Sequence, residues 1–165
     1  MTKRTRQYLG LLSAIIAYYL IHEGAHFLYA AATGVFKQIN FMGLGMQIDI
    51  YADRLSPTQL GFFCLVGAIA TQVSAYIMVL MSNRICRSPF KLPKAICYYV
   101  TIALLLLDPI YLSLLCGFFG GGDMNGIAYL IPEPLARIGF CILLFLNAAV
   151  FWKVILPRYQ RSFSN

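Results

Sequence analysis

Residues 8–32 read YLGLLSAIIAYYLIHEGAHFLYAAA. The run contains a single acidic side chain and no lysine or arginine. As a helix it exceeds the ~20 residues needed to cross ~30 Å of hydrocarbon. It is too long for the apolar region of a signal peptide, lacks a convincing cleavage site, and carries His22, Glu23 and His26 in its second half. A transmembrane helix with three ionisable groups is the reading that organises the rest of the chain.

Three more stretches, at 57–82, 95–119 and 134–156, are as apolar and as long. Of the 165 residues 60% are hydrophobic and only 12% charged, where soluble domains carry about a quarter charged residues, so an aqueous core cannot absorb this surface. The expected architecture is all-α and integral to the membrane: one membrane domain over 1–165, four transmembrane helices, and a β-hairpin between the first two. The hairpin is expected at about 35–52, where Ile39 and Phe41, then Met46, Ile48 and Ile50, alternate with other residues around Gly43 and Gly45. Ser56-Pro57-Thr58-Gln59 reads as a helix start, with a serine cap, proline in the first turn and a reciprocal glutamine. Gly120-Gly121-Gly122-Asp123 should unwind the third helix, and Pro157 should close the fourth.

The net charge of +7 does not point to nucleic acid. Lys3, Arg4, Arg6, Arg84, Arg87, Lys91, Lys94, Lys153, Arg158 and Arg161 fall on one side of a four-span chain, and Lys37, Arg54 and Arg137 on the other. The positive-inside rule then puts both termini in the cytoplasm, and a basic face toward anionic lipid accounts for the charge. An integral, multi-pass membrane location is expected, with the lipid bilayer as partner and the oligomeric state open. The five cysteines are dispersed and form no CxxC pair, so they read as packing residues. Trp152 beside Lys153 reads as an interfacial anchor, and Asn147 as an interhelical hydrogen-bonding residue. Tyr18, Tyr19, Phe27 and Tyr29, close to the histidines, read as packing.

His22-Glu23-Gly24-Ala25-His26 matches H-E-x-x-H. Residues four apart share a helix face, so both imidazoles can hold one Zn²⁺. Glu23 is then placed to take a proton from a water that the ion activates, and to return it to a leaving amine. A chain this long meets the pattern by accident about once in a few hundred cases. A carboxylate at bilayer depth costs ~2.5–3.5 kcal/mol, which makes accident rarer there. A catalytic zinc takes a third protein ligand, and no third histidine exists. Asp49, Asp53 and Glu133 read as solvated or interfacial. Asp123, at the outer end of the third span, agrees in depth with the histidines and is the favoured ligand; Asp108, before Pro109 near mid-span, is the alternative.

These residues resemble the site-2 protease family of intramembrane zinc metalloproteases. His22, Glu23 and His26 match the HExxH of that family's first core helix fully. Gly122-Asp123 followed by Asn125-Gly126 matches only loosely the Leu-Asp-Gly that carries the family's zinc-binding aspartate. The Asn- and Pro-rich run before it is missing, with Asp108-Pro109 its nearest trace. Gly67-Ala68-Ile69-Ala70-Thr71 keeps the glycine of the Gly-Pro-x-x-Asn of the family's middle core helix, but not its Pro or Asn. The resemblance covers roughly residues 8–130, and HExxH is its one specific motif. It implies a small, divergent, bacterial-type intramembrane protease with a three-helix core, acting on a membrane protein or peptide. Thr71, Gln72 and Asn125 become candidate oxyanion or substrate contacts, with an ordinary interhelical hydrogen bond the other and favoured role for Thr71 and Gln72, and the hairpin an edge onto which an unwound substrate adds as a strand. Prolines at Gln47 and Asp49 should then slow cleavage and spare zinc. A membrane zinc-binding protein without proteolysis, whether pseudoprotease or transporter, and a zinc-dependent lipid hydrolase are the alternatives.

Overall fold

A computed structural model describes residues 1–42, 45–118 and 122–164. Among these described residues the chain is mostly helical, with four helices long and apolar enough to cross a membrane and one antiparallel hairpin between the first two. In chain order these are α1 (Lys3–Ala32), β1 (Phe36–Met42), β2 (Gly45–Ile50), α2 (Pro57–Cys86), α3 (Lys91–Leu115), a short α4 (Asp123–Ile127) and α5 (Glu133–Ser164). Helices α1, α2 and α3 pack on one another; α5 lies against α3, and α4 against α2 and α5.

The buried side of α1 is a stripe of every fourth residue. Gly10, Ala14, His22, His26 and Ala30 are buried, with half-buried Tyr18 completing the series. Side chains at that spacing stack on one helix face, so a single stripe of small and polar groups faces α2 and α3. The opposite side is apolar and exposed, with Leu9, Leu12, Ile16, Leu20 and Leu28 pointing outward. On α5, Ile138, Ile142, Phe145 and Leu146 do the same. The polar residues of these helices turn inward and the large apolar ones outward, the reverse of a water-soluble helix.

Local signals set the element ends. Helix α1 stops at Thr33-Gly34: Gly34 takes φ +70°, which only glycine adopts without strain, and the Gly34 and Val35 amides close onto the Ala31 and Ala30 carbonyls at 3.2 and 2.9 Å. At the start of α2 the reciprocal cap forms as expected: the Gln59 amide donates to Ser56 Oγ at 3.3 Å and the Ser56 amide to Gln59 Oε1 at 2.9 Å.

Two prolines behave differently from expectation. Pro157 does not close the last helix, which runs on to Ser164. A widened turn at Phe151–Ile155 absorbs it, because a π-type turn accommodates a missing amide without breaking the rod. Pro109 sits inside α3 and is followed by a second widened turn, Tyr111–Leu115. It cannot donate to the Leu105 carbonyl four residues back. That carbonyl is taken instead by Asn147 Nδ2 of α5 at 2.7 Å, and the neighbouring Leu104 carbonyl by Gln72 Nε2 of α2 at 2.9 Å. Asn147 also donates to Gln72 Oε1 at 2.7 Å and accepts from the Tyr76 hydroxyl at 2.8 Å. One asparagine thus ties three helices around the defect. The α3 helix ends at Leu115, short of the expected 119, and Gly120 and Gly121 lie outside the described residues. Gly122 is described, with φ +45°, at the head of α4.

At one end of the bundle the basic segments meet. Lys94 Nζ at the start of α3 donates to the Ser162 carbonyl and Oγ of α5 at 2.7 and 2.9 Å, and Arg158 Nη1 donates to Ser82 Oγ of α2 at 2.7 Å. The C-terminal end of α2, the start of α3 and the end of α5 are therefore one face. The cysteines are free, as read from their spacing.

Candidate metal centre

The stripe on α1 delivers His22 and His26 to the interior, where they are 7% and 3% exposed. One turn apart, their Nε2 atoms face each other at 3.2 Å. Asp123, the first residue of α4, closes the group from the far side: its Oδ2 lies 3.1 Å from His22 Nε2 and 3.6 Å from His26 Nε2. These three donor atoms form a group that could hold a metal ion, and it is the one such group among the described residues. Elements 101 residues apart in sequence meet here because α4 packs on α2, which in turn packs on α1.

Room for the group comes from α2. A Cβ built on Gly67 would lie 2.6 Å from His26 Nε2 and 2.7 Å from His22 Nε2. Any side chain there would occupy the space the imidazoles use, and Gly67 leaves it open. Phe63, one turn earlier on α2, packs on the His26 ring at 4.7 Å between centroids and walls that side.

Glu23 does not enter the triangle of donors. Its Oε2 accepts the backbone amide of Ile48 in β2 at 3.0 Å. The carboxylate following His22 is therefore held by the hairpin, with Ile48 buried beneath it. Register pairs Ile39 with Ile48 and Phe41 with Met46, so the apolar residues of the two strands share one face. On β1 that face remains open, with Phe41 76% exposed. An exposed ion pair, Lys37 Nζ to Asp49 Oδ2 at 2.9 Å, staples the strands. The Lys37 ammonium holds the Asp49 carboxyl below its usual range, and the carboxylate holds the Lys37 ammonium above its own.

The remaining candidates divide. Asp108 is not with Asp123 on the Nε2 side. It is 1% exposed on α3, and its Oδ1 faces the other ring nitrogen, Nδ1, of His22 at 3.2 Å. Thr71 is fully buried; its hydroxyl donates to Asp108 Oδ2 and lies 2.9 Å from the Ala68 carbonyl, which leaves nothing for an oxyanion or substrate. Gln72 is engaged with α3 and α5 through both ends of its amide, an interhelical role. Asn125 is exposed on α4, its amide closing onto the Gly122 carbonyl at 3.2 Å. Two residues that sequence reasoning passed over also reach the site. Tyr18 donates its hydroxyl to Asp108 Oδ1 at 2.5 Å, and Ile48 holds Glu23. The four-residue spacing from Tyr18 to His22 is a sequence signal that could have flagged the tyrosine. Nothing local marks Ile48.

Compared with known proteins, the chain matches no family model, and no curated protein or solved structure is significantly similar to it. A functional reading therefore stands on the chemistry of these residues.

Proposed function

We propose that the chain is a multi-pass membrane metallopeptidase that binds zinc through His22, His26 and Asp123 and hydrolyses peptide bonds at or within the bilayer. One observation carries the reading: two imidazole nitrogens and a carboxylate oxygen converge beside a glutamate in the interior of an apolar helical bundle. Ligands at 2.0–2.1 Å around a tetrahedral ion lie about 3.3–3.4 Å apart. The three separations of 3.1, 3.2 and 3.6 Å bracket that spacing. The donor set, two neutral nitrogens and one carboxylate with no thiolate, suits a catalytic zinc with one position left open. The space cleared by Gly67 suits it as well.

A bound zinc supplies Lewis acidity, polarising a carbonyl and acidifying water. Glu23 serves as general base and then general acid, and its grip on the Ile48 amide fixes which way the carboxylate points. The apolar bundle keeps bulk water from competing for these groups. A substrate helix has no accessible carbonyl, so it must be unwound beside Glu23, and β2 is the extended segment nearest that carboxylate. Both termini are placed in the cytoplasm in this reading, because the basic ends of α2, α3 and α5 cluster on one face.

A metal-free reading has its own support. His22 and His26 each approach Asp123 closely enough for hydrogen bonds or ion pairs, so a shared proton could hold the cluster together in a non-catalytic scaffold. Glu23→Gln separates the two. The protein purified in detergent is analysed for zinc and tested on membrane-embedded peptides. Zinc in both forms with cleavage by the parent alone is expected. Metal-free parent protein favours the scaffold, and equal cleavage by the two forms removes Glu23 from the chemistry.

A further inference from the structure

The carboxylate on the far side of His22 has a setting that the ligand triangle does not explain. Asp108 lies in the last third of the α3 span and is 1% exposed. An unpaired carboxylate at that depth is costly, yet this one is approached from both neighbouring helices. Tyr18 of α1 donates to Oδ1 at 2.5 Å and Thr71 of α2 donates to Oδ2. His22 Nδ1 faces Oδ1 at 3.2 Å, oblique to the straight hydrogen-bond direction. Tyr18 and His22 belong to the same stripe of α1, with their rings stacked at 5.4 Å and 28° between planes. Tyrosine and carboxylate therefore enclose the back of the imidazole. Neither buried Nδ1 makes a straight hydrogen bond, but among the described residues that of His22 has a carboxylate oxygen at 3.2 Å and that of His26 has none.

A neutral imidazole carries one proton, on Nδ1 or on Nε2. A metal ligand must present a lone pair. If the proton sits on Nε2 it points at the position between His22, His26 and Asp123, and the site is blocked. A carboxylate facing Nδ1 draws the proton to that side, and it makes Nε2 the more basic nitrogen. We propose that Asp108 is a positioning residue: clamped by Tyr18 and Thr71, it holds His22 in the Nδ1-protonated tautomer with its Nε2 lone pair aimed at the metal position. The inference rests on the metal-binding reading of His22, His26 and Asp123. It assigns the two histidines unequal roles, since His22 is oriented by a carboxylate and His26 by packing against Phe63. It also explains why Thr71 is buried and committed: its task is to fix Oδ2 so that Oδ1 stays turned toward His22.

The test uses the full chain in detergent, with Zn²⁺ affinity measured by chelator competition. The absorption bands of the Co²⁺-loaded protein and the imidazole ¹⁵N shifts of His22 supply readouts independent of activity. Asp108→Ala should weaken zinc binding by about 10–100-fold. Asp108→Asn keeps the shape and an oxygen for Tyr18 but removes the charge. It should give a smaller loss, displaced Co²⁺ bands and a His22 tautomer shifted toward Nε2–H. Tyr18→Phe should weaken binding in the same direction. If Asp108→Ala fails to fold, the Asn and Phe variants carry the test. Parental affinity, Co²⁺ bands and tautomer in the Asn and Phe variants, even with lowered thermal stability, would reduce Asp108 to a packing contact and overturn the proposal. A parent chain that takes up neither ion would overturn the metal reading beneath it, a result distinguishable because it precedes any substitution.

Discussion

At Gly67 the space between two imidazoles depends on one hydrogen atom standing where other residues have a Cβ. Ring nitrogens 2.6 and 2.7 Å from that position cannot accept a methyl group without moving. Gly67→Ala should therefore lose zinc while keeping its helix content, read by metal analysis and circular dichroism on the same sample; retained zinc would mean that the imidazoles have more freedom than the packing implies. His22, Glu23 and His26 were legible in the sequence because their relation is local: four residues make one helical turn. Asp123 was reachable by matching depth across spans. The difference between Asp108 and Asp123 was not legible, since it depends on how α3 is rotated about its own axis and on which nitrogen of His22 each carboxylate meets. Tyr18 was read as packing for the same reason. Its hydroxyl acquires a role only when α3 brings Asp108 alongside.

For the elements, the hairpin and the proline sites are the informative cases. Alternation of apolar residues was sufficient to expect the hairpin, and the strands pair in the register that puts Ile39 opposite Ile48. What alternation could not tell is which edge meets Glu23. Because the Ile48 amide points at α1, the amides of Gln47 and Asp49 turn toward β1. Prolines at those two positions should unpick the hairpin itself, so the edge is better tested at Ile48. Ile48→Pro removes the one amide that holds Glu23 and should lower peptide cleavage up to about a hundredfold with zinc retained; unchanged turnover would detach the hairpin from the chemistry. The proline sites show a different limit. A proline in a sequence reads as a stop, but Pro157 and Pro109 are carried through by widened turns, and at Pro109 Asn147 takes the orphaned carbonyl. Asn147→Leu should destabilise the bundle, at about 0.6–1.7 kcal/mol for each interhelical bond lost, measured by denaturant-induced unfolding in mixed micelles. No loss of stability would mean that the Leu105 carbonyl finds another partner.

At the level of the whole molecule, composition was the most legible feature. Four apolar runs with basic residues at alternate connections have few arrangements open to them, and the helices form where those runs lie, within about five residues at each end except for the last, which runs on past Pro157 to Ser164. The packing order was less accessible. That α1, α2 and α3 make the core while α5 flanks α3 follows from small and polar residues on particular faces, such as Gly10, Gly67, Thr71 and Asp108, and those faces declare themselves only when the helices meet. The assembled picture has a polar centre enclosed by helices whose outward surface is apolar, with basic residues gathered at one end. An enzyme that hydrolyses peptide bonds inside a membrane needs these three features together: an ordered polar centre, a lipid-compatible exterior and a fixed orientation.

The central claim is that two imidazoles and one carboxylate hold a zinc ion inside this bundle, and X-ray absorption at the zinc edge of the detergent-purified protein tests it most directly. The account predicts a first shell of nitrogen and oxygen at about 2.0–2.1 Å, with imidazole outer-shell scattering and no sulfur at about 2.3 Å. A sample without zinc, or a sulfur-bearing shell drawn from a cysteine such as Cys64, would contradict it.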